Sequence, residues 1–328
     1  MLCPLHRSTP NARLAGVLGS AARLWMTALV MILLAGCAST PALDPDALRT
    51  LSPRVVLDEV PFHPQRDYQC GPAALAMSLN ASGVEVGVDR LIEQVYVPGR
   101  QGSLQPEMLA ATRRHGRIPF LLAPRLDAIF AELDTGRPVV VMQNLSLPAF
   151  PLWHFAVANG YDLDAEEILL RTGVTRQDRV PFGRFDATWA RSERWAFVAL
   201  PAGELPRDIS ANDAVDAVSA FERVQGEAAA LPAWQAVAER FADHAMAAFG
   251  LANAYHGNGD VDAAVAAWRR ATTLDPDLAA AWLNLGLTLA QSETPGSART
   301  PLTRAAQLPG PWQQQAREAL ASLEGGTP

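Results

Sequence analysis

From Ala211 onward the chain repeats itself with a period of 34 residues, and no other feature constrains its fold as tightly. Trp234 and Trp268 stand one period apart, and Leu302 follows one period later. Phe221, Tyr255 and Leu289 keep the same step, as do Ala230, Ala264 and Ala298. Large and small residues at fixed positions of a helical pattern imply helix–turn–helix units stacked neighbour on neighbour, because one such unit cannot bury its apolar face alone. The copy at 245–278 is the fullest, with Leu251, Tyr255, Gly259-Asp260, Ala264, Trp268, Ala271 and Pro276. The copy at 279–312 keeps Trp282, Leu285 and Gly286, whereas Leu231-Pro232 interrupts the pattern in 211–244. A last helix at about 312–323 is placed to cap the stack.

These residues resemble the tetratricopeptide repeat. The resemblance implies an all-α solenoid over 211–325 whose groove takes a peptide or a partner protein. Residues 201–208 (PAGELPRD) have the Pro/Gly composition of a boundary, and what precedes them does not share the period.

The first 36 residues have another character. Arg7, Arg13 and Arg23 form a basic segment without an acidic residue, followed by the apolar run Leu24–Ala35. That run is too short to span a bilayer, which takes roughly 20 apolar residues, but suits a signal peptide. It ends in Leu34-Ala35-Gly36-Cys37, which resembles the lipobox of bacterial lipoproteins. The resemblance implies cleavage before Cys37 and lipidation of its thiol; Ala38 after it implies the outer membrane, facing the periplasm. Residues 37–54 then read as a tether rich in Pro, Ser, Thr and Ala.

At 49% apolar and 19% charged residues the chain can bury a core. All of its basic residues are Arg, and removing three of them from a net charge of −7 leaves the mature form near −10. That acidity argues against nucleic acid as a partner. No Cys/His pairs stand at metal-ligand spacing and no glycine-rich phosphate loop is present, so neither a metal nor another cofactor is expected.

Residues 55–203 mix elements. Short strands are expected at 55–62, 137–145, 154–162, 166–173 and 194–200, and helices within 70–83, 88–96, 104–116 and 126–136. Helices followed by an antiparallel sheet make an α+β domain. Of the three cysteines, Cys3 leaves with the signal and Cys37 is acylated, so the mature chain holds one thiol, Cys70. Such a thiol is either a small buried hydrophobe or a nucleophile. Cys70 precedes Gly71-Pro72 and a helix, whose N–H groups and dipole favour a thiolate. Gly71 leaves room for a substrate, and a depressed thiol pKa is expected. The base such a thiol needs is usually histidine. His63, His115, His244 and His256 lie in other settings, whereas His154 opens an apolar strand.

Residues 65–77 (QRDYQCGPAALAM) and 154–162 (HFAVANGYD) resemble the catalytic helix and histidine strand of papain-like, bacteriocin-processing cysteine peptidases, over about residues 57–201. The resemblance implies a papain-like fold with Cys70 as nucleophile, His154 as general base and acid, and a preceding glutamine as oxyanion donor. Gln65 fits that role better than Gln69, which adjoins the nucleophile. The family's Asp on the next strand is missing from 167–173; Asp162, Asn159 or Thr172 is left to orient His154, with Asp162 equally readable as a turn residue. The function expected is that of a membrane-anchored peptidase acting on a peptide or protein substrate. The alternatives are a thiol amidase acting on peptidoglycan or glutamine amides, and a non-catalytic adaptor.

Overall fold

The computed structural model describes residues 43–65, 69–291 and 295–325. The signal segment and Cys37 lie outside the described residues, as do Arg66-Asp67-Tyr68 of the cysteine motif. The chain enters through a short helix, α1 (Pro45–Leu48), and strand β1 (Arg54–Val56). Three helices follow, α2 (Cys70–Ala81), α3 (Val88–Val95) and α4 (Gln105–Arg114), with the small hairpin β2 (Tyr96–Val97) and β3 (Gly102–Ser103) between the last two. Next come β4 (Ile118–Leu121), α5 (Leu126–Asp134), β5 (Val139–Asn144), β6 (Trp153–Asp162), β7 (Glu167–Thr172), β8 (Thr175–Pro181), α6 (Phe182–Ala190) and β9 (Ala196–Leu200).

The strands form one antiparallel sheet in the order β4-β9-β5-β6-β7-β8, with β1 paired to the far half of β6. Side chains alternate between faces along each strand. Val140, Phe155, Val157, Phe197 and Ala199 accordingly pack with α2, α3 and α4. Val139, Val141, Ala156, Ala158, Val198 and Leu200 turn to the other face, against α5 and α6. Burial on both faces is why β5 and β6 read as continuous apolar runs. β1 crosses so close to Gly160 that a Cβ there would lie 2.4 Å from the Val55 carbonyl oxygen, so only glycine fits.

Sequence patterns missed both outer strands. β4 contains Pro119, which a sheet tolerates at its edge; β8 at the opposite edge is polar because it is largely solvated. The stretch expected as a free tether is docked from Leu43 onward: Leu43 and Leu51 pack on the core, and the Ser52 N–H donates to Asp134 Oδ1. α1 and β1 therefore belong to the folded body.

The C-terminal region is helical throughout: α7 (Ala211–Gln225), α8 (Glu227–Arg240), α9 (Ala245–Gly257), α10 (Val261–Leu274), α11 (Ala279–Ala290), α12 (Arg299–Gln307) and α13 (Gln313–Gly325). Ser210 and Asp260 cap α7 and α10 by accepting a backbone N–H three residues on. Large residues press on glycines of the facing helix: Trp234 on Gly250 and Leu302 on Gly286, each within 2.6 Å of where a Cβ would stand. The hairpin α7–α8 shares its core with the sheet, through Val215, Val218, Phe221, Ala230, Trp234 and Val237. The helices from α9 onward close a second core around Trp268, Leu285 and Leu302.

Candidate active site

Cys70 is the first residue of α2, and Ala73 makes the first intrahelical bond, back to Gln69. Pro72 falls at the third helical position, where its missing N–H would have had no helical partner. The backbone N–H groups of Phe155 and Gly71 lie near the Cys70 sulfur and favour its charged form. Phe155 lies on β6 beyond the stretch that pairs with β7, so its amide is available to the thiol. His154, the neighbouring residue, lies at the start of β6. Its Nε2 lies 2.6 Å from Thr172 Oγ1, at the end of β7.

Thr172 is thus the partner that orients His154. Asp162 is eight residues further along β6, where it pairs with Arg54 and accepts the Ala165 N–H in the β6–β7 turn. Asn159 is buried at the β6 bulge beside Leu57. Neither reaches the imidazole. His63 bonds Asn80 near the far end of α2, His115 bonds Gln94, and His244 caps α9.

Gln65 is tied to the end of β7, its backbone N–H donating to the Gly173 carbonyl, one residue past Thr172. Its Nε2 is buried without a hydrogen-bond partner among the described residues. An unmade buried bond costs about 1–3 kcal/mol. Gly71 does not leave space for substrate. A Cβ there would stand 2.2 Å from Ser103 Oγ, so the β2–β3 hairpin closes directly over the helix start. No sequence pattern pointed to Ser103.

Burial opposes the expected thiolate. Burial pushes the Cys70 thiol above its ordinary pKa, and the N–H bonds from Phe155 and Gly71 offset this only in part. Burial likewise lowers the His154 pKa. Both shifts favour the neutral forms, a thiol beside a neutral imidazole. A threonine behind the ring fixes its orientation, but does not stabilise imidazolium as a carboxylate would.

A thiol at a helix start and a histidine at a strand start, in an α+β domain with an antiparallel sheet, are the parts of a papain-like fold. Residues 57–196 match the model of the Peptidase_C39 like family, and residues 252–292 match a TPR repeat model. The chain therefore carries a C39-like peptidase domain followed by tetratricopeptide-type helices. No curated protein matches the chain. A crystal structure described as a C39-like peptidase from Bacillus anthracis aligns at 17% identity and a TM-score of 0.39, over 45% of this chain and 98% of that one. A double glycine motif protease from an AMS/PCAT transporter, in complex with the leader peptide, aligns at 20% identity and 0.33, over 43% and 91%. The type III secretion translocator chaperone of Yersinia enterocolitica aligns at 15% and 0.34, over 36% and 87%.

Proposed function

We propose that this protein is a thiol peptidase that hydrolyses a peptide bond with Cys70 and His154, while its repeats hold a peptide or protein. The observation that supports this most is that the helix-borne Cys70 lies near the backbone of Phe155, whose neighbour His154 is held by Thr172. Because thiol and ring rest neutral, the proton moves during attack. His154 Nδ1 takes it as sulfur bonds to the scissile carbonyl carbon, and Gln65 Nε2 donates to the oxygen as it becomes negative. The imidazolium then protonates the leaving amine, and water hydrolyses the thioester. On the repeats, a cleft of ≈ 420 Å³ lined by Glu222, Asn253, His256, Asn284 and Gln291 supports a peptide-binding role.

The test is to incubate the mature protein with a peptide library and read cleavage by mass spectrometry. Fragments should appear and should vanish once Cys70 is alkylated. With a raised thiol pKa, alkylation by iodoacetamide should be slow at pH 7 and quicken about tenfold per pH unit toward that pKa. Absence of thiol-dependent fragments would leave the adaptor reading in its place.

The same proposal anchors the protein through a lipid on Cys37 to the outer membrane, facing the periplasm. It rests on the lipobox. A Cys37→Ser variant should move to the soluble fraction, and a variant still held in membranes overturns this part.

A further inference from the structure

Between Asn144 and His154 runs LSLPAFPLW, the loop joining β5 to β6. Leu145, Leu147, Phe150, Leu152 and Trp153 are 46%, 64%, 77%, 59% and 50% exposed, although the strands on either side are buried. So dense a display of large apolar side chains marks an interaction surface rather than scattered surface residues. The loop is also held in shape. Asn144 Oδ1 accepts the N–H groups of Ser146 and Leu152, and Leu145 N–H donates to the Leu152 carbonyl. Arg191 donates to the carbonyls of Asn144 and Ser146, and Phe150 N–H closes a turn on Leu147. Pro148 and Pro151 stiffen the backbone further. The side chains are therefore presented by a preorganised platform.

The platform is continuous with the site. Strand alternation puts Trp153 on the same face as Phe155, which shares a core with Cys70. Two strand positions are about 7 Å, the reach of two residues of an extended peptide. The segment 142–153 contains no charged residue, so nothing in it would favour a charged substrate.

The chain enters at the other end of β6, where Leu163 N–H bonds the Pro53 carbonyl and Arg54 pairs with Asp162. Asp162 and His154 are eight strand residues apart, about 27 Å. Cleavage before Cys37 would leave residues 37–42 ahead of the docked Leu43, a span of roughly 20 Å at full extension.

We infer that the loop 145–153 is the specificity surface of this site and selects substrates with apolar residues near the scissile bond. One apolar side chain lies against Trp153 about two residues from that bond, and further ones run along Leu147, Phe150 and Leu152. The choice of a peptide as occupant rests on the peptidase reading.

The test uses the full mature chain carrying Cys70→Ala, so that binding is read without turnover and a failure of the chemistry leaves the result intact. Two fluorescein-labelled peptides are compared by fluorescence polarisation, one with three consecutive leucines and one with serines in their place. The leucine peptide should bind at least tenfold more tightly. Adding Leu147→Ser and Phe150→Ser should abolish that difference while the melting temperature stays unchanged. Equal binding of the two peptides overturns the inference. So does a preference that survives the loop substitutions but is lost in Asn253→Ala, which would assign it to the repeats. A third overturning result is binding of the Cys37→Ser protein to phosphatidylcholine–phosphatidylglycerol vesicles that depends on Phe150, which would make the loop a membrane contact.

Discussion

Cys70→Ala and His154→Ala each should reduce peptide hydrolysis by about 10⁴-fold or more, and combining them should cost no more than either alone. The reason is that the neutral thiol has no nucleophilic power until the imidazole takes its proton, so neither group acts without the other. Burial holds both in their uncharged forms, which makes this dependence stronger than in a site with a preformed ion pair. Gln65→Ala should slow turnover by roughly 10²–10³-fold, the loss expected of one oxyanion donor. Asp162→Ala, at the far end of β6, should leave it unchanged. Thr172→Asp should raise the His154 pKa by placing a carboxylate behind the ring, and so shift the acid limb of the pH profile upward. Steady-state kinetics with a single cleaved peptide decide the matter; a Cys70→Ala protein with undiminished turnover would sink the mechanism.

Trp234→Ala is expected to destabilise the protein by about 3–5 kcal/mol, the cost of deleting a buried large aromatic. The ring is 3% exposed and lies on the backbone of α9 at Gly250, and its Nε1–H donates to Glu222. It belongs to the same apolar core as Ile118, Val198 and Leu200 of the sheet. The loss is a large fraction of the 5–15 kcal/mol typical of a folded domain, and it falls on sheet and helices together. Urea denaturation followed by circular dichroism and by hydrolytic activity should give coincident transitions, both shifted to lower urea. A change below about 1 kcal/mol, or activity surviving after the helices melt, would show that this core is not shared.

Much of this architecture could be read from the chain because local pattern and burial agree. Val139-Val140-Val141 and Phe155–Tyr161 are apolar on both faces and sit in the middle of the sheet. The helices ending near Gly83 and Gly136 stop where those glycines take positive φ. Cys70, Gln65 and His154 are singled out by a motif and by the scarcity of thiols. What escaped depends on contacts far apart in sequence. Thr172 was one of three candidates to orient the ring, and only the β6–β7 register distinguishes it from Asp162 and Asn159. A helix N-terminus argues for a low thiol pKa, yet the packing of the surrounding elements buries the sulfur and reverses the sign. The docking of residues 43–54 shows the same limit, since Pro, Ser and Ala read as a tether until a core is available for Leu43 and Leu51.

The hairpin α7–α8 packs into the sheet's core and, through α9, carries the remaining repeats. The repeat groove and the thiol are consequently parts of one scaffold rather than modules on a hinge. A ligand that engages both must bridge a constant distance, so the spacing between its two recognised segments acts as a ruler. Segments of matching spacing gain effective concentration at the thiol from the first contact alone, and segments too short to bridge gain none.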